Sequence, residues 1–291
     1  MNCQTEMEKA SCDAAEDIPP IAPESDLLKM KELADSVRSR LGVKQLPTDP
    51  EALDIFSQES LLRFARARRS IAASTDMILK SLEWRREYDF FGTMDSWVED
   101  KSEEAEYLRN NWPCGCHGVD RRGVPVYYAR YGQCDMALAA KTAGVDRFIQ
   151  YNLWLSYQGW KGIRQVAIAQ GKHPVTMICV ADMKGLDWKT GLRAVPYFKR
   201  LSAALDNNFP EKLEIAFVVN APRIFSSLYK LASHFLAEDT KHKVRIFGHN
   251  EDHLHAKSGM LEVLDWEQIP SWLGGGPSPC SFPETQDIPR Q

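Results

Sequence analysis

Hydrophobic residues along this chain recur at two different spacings. Four short runs rich in β-branched residues predict buried strands, at 124–128, 175–180, 215–219 and 244–247. Between them, apolar residues three and four positions apart predict helices across 143–166, 194–205 and 228–235. Because strands that alternate with helices form parallel sheets with helical crossovers, this part of the chain predicts an α/β fold with a mostly parallel sheet.

Before about residue 110 the pattern is helical. One helix is predicted over 26–41, ended by Gly42, and two more over 60–88, the second beginning at a cap formed by Ser74 and Thr75. Residues 1–25 are acidic and hold three prolines, which predicts a disordered tail. We therefore predict a tail (1–25), a small helical lobe (26–100), an α/β lobe (101–276) and a C-terminal tail (277–291).

Composition narrows the class of protein. The chain has 291 residues, a net charge of −4 and seven irregularly spaced cysteines, a pattern typical of reduced cytosolic thiols. The first 26 residues carry seven acids and one lysine, so the remainder lacks the strong basic footprint that nucleic-acid binding needs. No apolar run is long enough to span a bilayer, and the N-terminus does not resemble a signal peptide. We expect a cytoplasmic protein, monomeric, whose membrane contact is peripheral.

Motifs for catalysis and metal binding are missing from the sequence. It has no phosphate-binding glycine loop, no dinucleotide fingerprint and no nucleophile elbow. Asp182 follows a predicted strand but has no companion base or nucleophile. Two clusters of metal-capable side chains lack the pairing of a zinc site: Cys114, Cys116 and His117, and His249, Glu251, Asp252, His253 and His255. We predict no catalytic residues and no metal site, which leaves the enzyme hypothesis without support.

Six motifs between residues 58 and 276 resemble the CRAL-TRIO lipid-binding family, of the phosphatidylinositol transfer protein type. They are, in order, L-L-R-F-A-R-A-R-R at 61–69 with L-E-W-R-R-E-Y at 82–88, G-V-P-V-Y-Y at 123–128, A-D-M-K-G-L at 181–186, N-F-P-E at 208–211, V-N-A-P at 219–222 with F-S at 225–226, and I-P with L-G-G at 269–275. The resemblance implies a helical lobe packed on an α/β lobe that encloses one lipid in a hydrophobic pocket, with no cofactor beyond that lipid.

The resemblance also implies a mobile gate helix at roughly 223–237. Its apolar residues occupy two flanks: a predicted core-facing stripe contains Leu228, Leu231 and Phe235, and Phe225 and Tyr229 lie off it. Such a helix is either packed on both sides or has an outer face that contacts membrane or covers a ligand cavity. An open gate facing a bilayer explains the two-sided pattern.

A phosphatidylinositol headgroup site follows from the same resemblance. The seven residues at the matching positions are Arg68, Arg69, Asp120, Glu211, Lys212, Thr240 and Lys243. Lys212 stands where the family has arginine, which keeps the charge but loses the bidentate fork. The alternative is an ordinary salt-bridged surface in which Glu211 and Lys243 form a structural pair.

The family's phosphatidylcholine pocket is poorly matched. It uses a serine, a threonine and two tyrosines, whereas this chain has Met177, Cys179 and Cys116 at three of those positions and keeps Tyr127 alone. A buried phosphate without donors is costly, while these side chains suit a soft apolar guest. We predict a carrier that exchanges phosphatidylinositol for a less polar second ligand, such as a sterol, at membrane surfaces. The alternative is a non-transferring sensor of a retinoid, a tocopherol or haem, which would not require the charged set.

Overall fold

The computed structural model describes residues 22–277. The predicted tails, 1–25 and 277–291, lie outside the described residues except for 22–25 and 277, and Glu24 and Ser25 already belong to the first helix. Six helices form the N-terminal part: α1 (Glu24–Leu41), α2 (Pro50–Ile55), α3 (Gln58–Ala67), α4 (Ile71–Glu87), α5 (Phe90–Glu99) and α6 (Glu103–Asn111). Helix α1 begins two residues before the predicted start. A fully buried apolar cluster joins α1 to α4, with Leu33, Val37, Ile55, Leu62 and Ile78 at its centre.

The predicted cap of α4 is wrong. Ser70 is the capping residue, and its Oγ accepts a hydrogen bond from the Ala73 N–H at 3.3 Å. Ser74 and Thr75 lie inside the helix, where their hydroxyls donate to the Phe64 and Ile71 carbonyls at 2.8 Å. Both side chains are fully buried. A hydroxyl that finds a backbone acceptor inside the fold is satisfied without ending a helix.

A five-stranded sheet forms the centre of the C-terminal part. Its strands β1 (Cys114–Val119), β2 (Pro125–Ala129), β3 (Met177–Asp182), β4 (Leu213–Ala221) and β5 (Val244–Gly248) lie in the order of the sequence. All neighbours pair in parallel except β1 and β2. The four predicted strands and the mostly parallel α/β class are confirmed. Strand β1 was not predicted, because its two glycines and two cysteines give the segment a low strand propensity.

Helices cover the sheet and connect its parallel strands. They are α7 (Met136–Ala143), α8 (Val145–Ala169), α9 (Trp188–Asn208), α10 (Phe225–Ala232) and α11 (Glu238–His242), with short 3-10 turns at Tyr131–Gln133, Ser233–Phe235, Met260–Glu262, Trp266–Gln268 and Ser271–Leu273. Within residues 22–277, no helix is both long and apolar enough to cross a bilayer.

The two faces of the sheet have different partners. Alternate residues such as Ile178, Val180 and Phe217 pack against the C-terminal segment, for example against Met260 and Leu264. The intervening residues point to the opposite face, towards α8, α9 and α10. This alternation follows from the two-residue period of a strand. It leaves one face of the sheet available to form a cavity.

Buried polar contacts join the N-terminal helices to the sheet and its helices. Arg85 forms an ion pair with Asp54 and donates to the Asn208 carbonyl at 3.0 Å. The Tyr157 hydroxyl donates to Asp54 at 2.8 Å, and Arg63 donates to the Val175 carbonyl at 3.0 Å. These contacts join α2, α3 and α4 to α8, to the end of α9 and to the segment before β3.

Candidate ligand-binding cavity

A cavity of about 370 Å³ lies between the free face of the sheet and helices α8–α11. Its wall is mostly apolar. The three predicted pocket residues, Tyr127, Met177 and Cys179, all line it. Burial raises the pKa of the Cys179 thiol to about 12 and raises that of the Tyr127 phenol as well, so both groups are uncharged at neutral pH. This part of the wall therefore offers apolar and weakly polar surface.

Cys116 occupies the position beside Tyr127 on the neighbouring strand. The two residues are paired in the β1–β2 register, and Tyr127 pairs in turn with Cys179. Burial raises the pKa of the Cys116 thiol to about 12. The side chain packs against Gly159, where an added Cβ would meet the Cys116 sulfur at 2.8 Å.

Helix α10 closes one side of the cavity. Phe225, Leu228 and Tyr229 line it, and the rings of Phe225 and Tyr229 stack at 6.0 Å. The predicted core-facing stripe is wrong for Leu231, whose side chain is 43% exposed. Phe235 is half-buried, with the Lys199 ammonium 5.1 Å from its ring centre. Residues 225, 228, 229 and 232 form an equally regular stripe along the helix, and this is the face that points into the cavity.

A glycine on α9 makes room for this helix. A Cβ added at Gly191 would lie well inside van der Waals contact with Leu228 Cδ1. Gly191 is itself buried in the cavity wall. Close approach of α10 to α9 therefore depends on the missing side chain.

Five of the charged or hydroxyl side chains near α9, β4 and α11 form what we call the polar cluster: Arg68, Asp206, Glu211, Thr240 and Lys243. Lys243 Nζ donates to Glu211 Oε2 at 2.9 Å, and both are half-buried. Burial raises the pKa of the Asp206 carboxyl, and the nearby Glu211 charge adds to this, while Arg68 and Lys243 act in the opposite direction. All except Arg68 line the cavity.

Two other predicted headgroup residues lie elsewhere. Asp120 is buried in the β1–β2 turn, where it accepts hydrogen bonds from the Val124 N–H at 2.8 Å and from the Arg122 side chain. It is not part of the cavity wall. Arg69 is exposed between α3 and α4. The structure therefore brings together four of the seven residues.

Lys212, the seventh, lies in the cavity wall but in a different environment from Glu211. Glu211 has a left-handed backbone with φ 53°, so the chain turns sharply between them. Glu211 reaches Lys243, whereas the Lys212 side chain is 7% exposed and lies against Trp160 and Phe209.

Some wall residues were not predicted from the sequence. Asp206 and Ser156 are polar residues inside helices, where solvent exposure is the usual expectation. Asp206 lies five residues before Glu211, and this proximity was the one available signal.

Asp182 belongs to the end of β3, where it accepts hydrogen bonds from the Lys184 N–H and from Asn220 Nδ2, both at 2.9 Å. These bonds shape the turn after the strand.

Metal-capable side chains do not converge in this structure. Across residues 22–277 no group of three or more histidine, cysteine, aspartate or glutamate side chains could hold an ion. His253 and His255, for example, contact the Leu273 carbonyl and the Asp252 carboxylate respectively.

The sequence and the fold both have known relatives. The CRAL/TRIO domain model matches residues 109–275. The chain is 32% identical over 222 residues to Protein real-time of Anopheles gambiae, covering 75% of this chain and 31% of that protein. It is 28% identical over 223 residues to the Arabidopsis thaliana phosphatidylinositol/phosphatidylcholine transfer protein SFH9, covering 74% and 36%. The chain thus spans about a third of the length of these curated relatives.

A solved structure gives the same architecture. The crystal structure of Sfh5 superposes with a TM-score of 0.58 at 19% identity, covering 79% of this chain and 82% of that one. At this identity the likeness shows a shared fold alone. The helical lobe, the mostly parallel sheet and the family model agree with the six motifs of the sequence, and the chain belongs to the CRAL/TRIO domain family.

Proposed function

We propose that this protein binds phosphatidylinositol and exchanges it at membrane surfaces for a less polar second ligand, a sterol being one example, without making or breaking covalent bonds. The observation that carries the proposal is a mostly apolar cavity whose wall includes four residues of the polar cluster on one side and a helix with two apolar flanks on another. The printed name of the Arabidopsis relative, a phosphatidylinositol/phosphatidylcholine transfer protein, supports the same lipid class.

The polar cluster suits a polyol phosphate. Lys243 and Arg68 can attract the phosphodiester, and the carboxylates of Glu211 and Asp206 can accept hydrogen bonds from inositol hydroxyls. The ion pair between Lys243 and Glu211 holds both side chains in place, so a headgroup would insert into an ordered arrangement. Loading would exchange solvent contacts of half-buried groups for bonds to the ligand.

The strand residues argue against phosphatidylcholine. Met177 and Cys179 offer no strong donor to a phosphate, and the Tyr127 hydroxyl is the remaining strong donor among the predicted pocket residues. Acyl chains gain about 25 cal/mol per Å² of apolar surface that leaves water, so a bound lipid does not escape into solvent on a useful timescale. Exchange therefore takes place at a bilayer, with α10 displaced.

Native mass spectrometry with lipid extraction tests this proposal. The protein is exposed to vesicles that contain phosphatidylinositol and phosphatidylcholine, and the wild type is compared with Lys243→Ala. Loss of a charge-assisted bond worth about 2 kcal/mol should lower phosphatidylinositol loading at least roughly tenfold. Lys241→Ala is the matched control, because Lys241 lies two residues before Lys243 and pairs with the exposed Glu238.

Three outcomes separate the alternatives. Phosphatidylinositol bound to wild type and to Lys241→Ala, but not to Lys243→Ala, supports the headgroup site. Equal loading of phosphatidylcholine would refute the prediction of a less polar second ligand. An apolar guest without inositol lipid, even after exposure to vesicles, would replace the transfer function by a ligand sensor.

A further inference from the structure

Lys212 is a buried cation in the cavity wall with few partners. Its ammonium lies 4.9 Å from the Trp160 ring centre, 5.6 Å from Phe209 and 6.0 Å from Tyr157. We call these three rings the aromatic cage. Its one hydrogen bond in the described part of the chain is a long one, to the Ser156 carbonyl at 3.4 Å. Because an ammonium carries three donors, two remain available.

The charges around Lys212 do not balance. Arg63 lies over the same Trp160 ring at 5.3 Å and is also buried, and its Nε has no hydrogen-bond partner within residues 22–277. Asp54 is the carboxylate whose charge most favours the protonated form of Lys212, but it is already paired with Arg85. Arg164 lies over this ring as well, at 5.5 Å, but it is paired with Glu59. Among the described residues, neither Lys212 nor Arg63 forms an ion pair with a carboxylate. An uncompensated buried charge is costly, which points to a missing anion.

The charged groups around Lys212 also affect its pKa. Burial, together with the charges of Arg63 and Arg85, lowers the pKa of Lys212 to about 7, against the opposing effects of Cys116 and Asp54. The amine is therefore divided between its charged and neutral forms near neutral pH. A bound anion would stabilise the charged form.

Ser156, which also lines the cavity, supplies a second donor. Its hydroxyl donates to the Met177 sulfur at 3.9 Å, a weak contact. Lys212 donates to the main-chain carbonyl of this same serine, so the two residues are neighbours in the wall. An anionic oxygen between them would receive two stronger hydrogen bonds, one of them charge-assisted.

We infer that Lys212 and Ser156 bind the carboxylate of a long-chain aliphatic amphiphile, such as a fatty acid, and that this class supplies the second ligand. The inference rests on the proposed function, because it assumes that the cavity takes lipids. One ammonium neutralises one carboxylate, and the surrounding wall of Met177, Leu205 and Phe209 is apolar, as an aliphatic chain requires. The polar cluster remains separate, since Lys243 is already paired there with Glu211.

Binding must be linked to protonation. The carboxylate binds the charged lysine, whose fraction falls as pH rises through about 7. From pH 6.5 to pH 8.5, affinity for the anion should fall roughly 20-fold. An uncharged ligand with the same chain should show no such change.

The test uses the delipidated full chain, with oleate and oleyl alcohol as probes below their aggregation concentrations. Calorimetry is run at pH 6.5 and 8.5 on wild type, Lys212→Met and Lys212→Arg. We expect the wild type to prefer oleate at pH 6.5 and to lose that preference at pH 8.5. The methionine variant should bind both probes alike at both pH values. The arginine variant, charged throughout, should hold oleate equally well at both.

The wild-type comparison is decisive even if a variant fails to fold. Equal binding of oleate and oleyl alcohol at pH 6.5 would overturn the inference, as would a pH dependence that persists in Lys212→Met. Preference for a sterol over oleate would also overturn it. Phosphatidylinositol loading is measured on the same preparations: its presence without oleate discrimination rejects this inference alone, whereas failure of every lipid to bind rejects the proposed function itself.

Discussion

Asp54 connects residues that lie far apart in the sequence. It pairs with Arg85, whose side chain is 1% exposed, and accepts a hydrogen bond from Tyr157 on α8. Burial raises the pKa of the Asp54 carboxyl, but the charge and hydrogen bond of Arg85, with help from Tyr157 and Arg63, outweigh this and lower it overall. The carboxylate is therefore charged in the folded protein at neutral pH. It stabilises contact between the helical lobe and the cavity wall.

Replacing this carboxylate should be costly. Asp54→Asn leaves Arg85 buried without a counter-charge, so we expect the free energy of unfolding at pH 7 to fall by about 3 kcal/mol. Urea denaturation measures the change. Asp35→Asn is the control, because Asp35 forms an exposed pair with Arg38 and should cost less than about 1 kcal/mol.

The pH dependence adds a second check on Asp54. A carboxyl whose pKa is lower in the folded state stabilises the protein above its unfolded pKa, near 3.9. The wild-type advantage over Asp54→Asn should thus stay constant above about pH 5 and shrink as the pH falls through the folded pKa. An advantage that grew on acidification would contradict the assignment.

At this scale the sequence predicts residue types better than residue environments. The match to a known motif indicated Lys243, Glu211 and Thr240 as neighbours, and the structure brings them together. Lys212 was grouped with them because it stands where the family motif has an arginine, directly after Glu211. The left-handed backbone of Glu211 turns the chain, so that the Lys212 side chain points away from Lys243 and Thr240. A single sequence gives little sign that a glutamate adopts that conformation.

At the scale of elements, the contact between α9 and α10 forms one side of the cavity. Leu228 fills the space over Gly191, so a Cβ at position 191 would require the Leu228 side chain or helix α10 to shift. Packing of this kind tolerates no added methyl group without displacement of the neighbour. The closed position of α10 is therefore sensitive to one atom.

Gly191→Ala should weaken the closed state and accelerate lipid exchange. An overpacking cost of about 1 kcal/mol corresponds to a roughly fivefold larger open population. Transfer of phosphatidylinositol between vesicles measures this. Gly162→Ala is the matched control, since it lies in helix α8 and an added Cβ there meets nothing within 4 Å. Transfer at equal rates in both variants would argue against α10 as the gate.

Element prediction succeeded where a single pattern dominated. Runs of β-branched residues identified β2 to β5, because buried parallel strands need no polar alternation. Strand β1 escaped because its C-G-C-H-G-V sequence has low strand propensity, and tertiary pairing with β2 decides its conformation. In α10 two apolar stripes compete, and which one faces inward depends on the shape of the neighbouring helix.

At the scale of the whole molecule, exposed apolar residues of α9 and α10 form what we call the apolar rim. Trp188, Leu192 and Leu231 are each more than 40% exposed on α9 and α10. Large exposed apolar side chains that lie together mark interaction surfaces. Under the proposed function, this rim is the part that enters the bilayer interface while α10 opens.

Trp188→Ser combined with Leu192→Ser should reduce binding to phosphatidylinositol-containing vesicles roughly tenfold, because less apolar area is buried in the interface. Vesicle flotation measures the change, with circular dichroism to verify folding. Leu53→Ser provides the control, as Leu53 is 59% exposed on α2 of the helical lobe. An equal loss in the control would indicate nonspecific adsorption.

The two-faced sheet has a consequence for how this protein can diverge. In β3, Ile178 and Val180 hold the C-terminal segment, while Met177 and Cys179 contact the cavity. Ligand preference and folding stability therefore depend on alternate positions of one strand. Substitutions at positions 177 and 179 can change which ligand binds, while unchanged residues at 178 and 180 preserve the fold. Selection can therefore act on ligand preference and on stability separately.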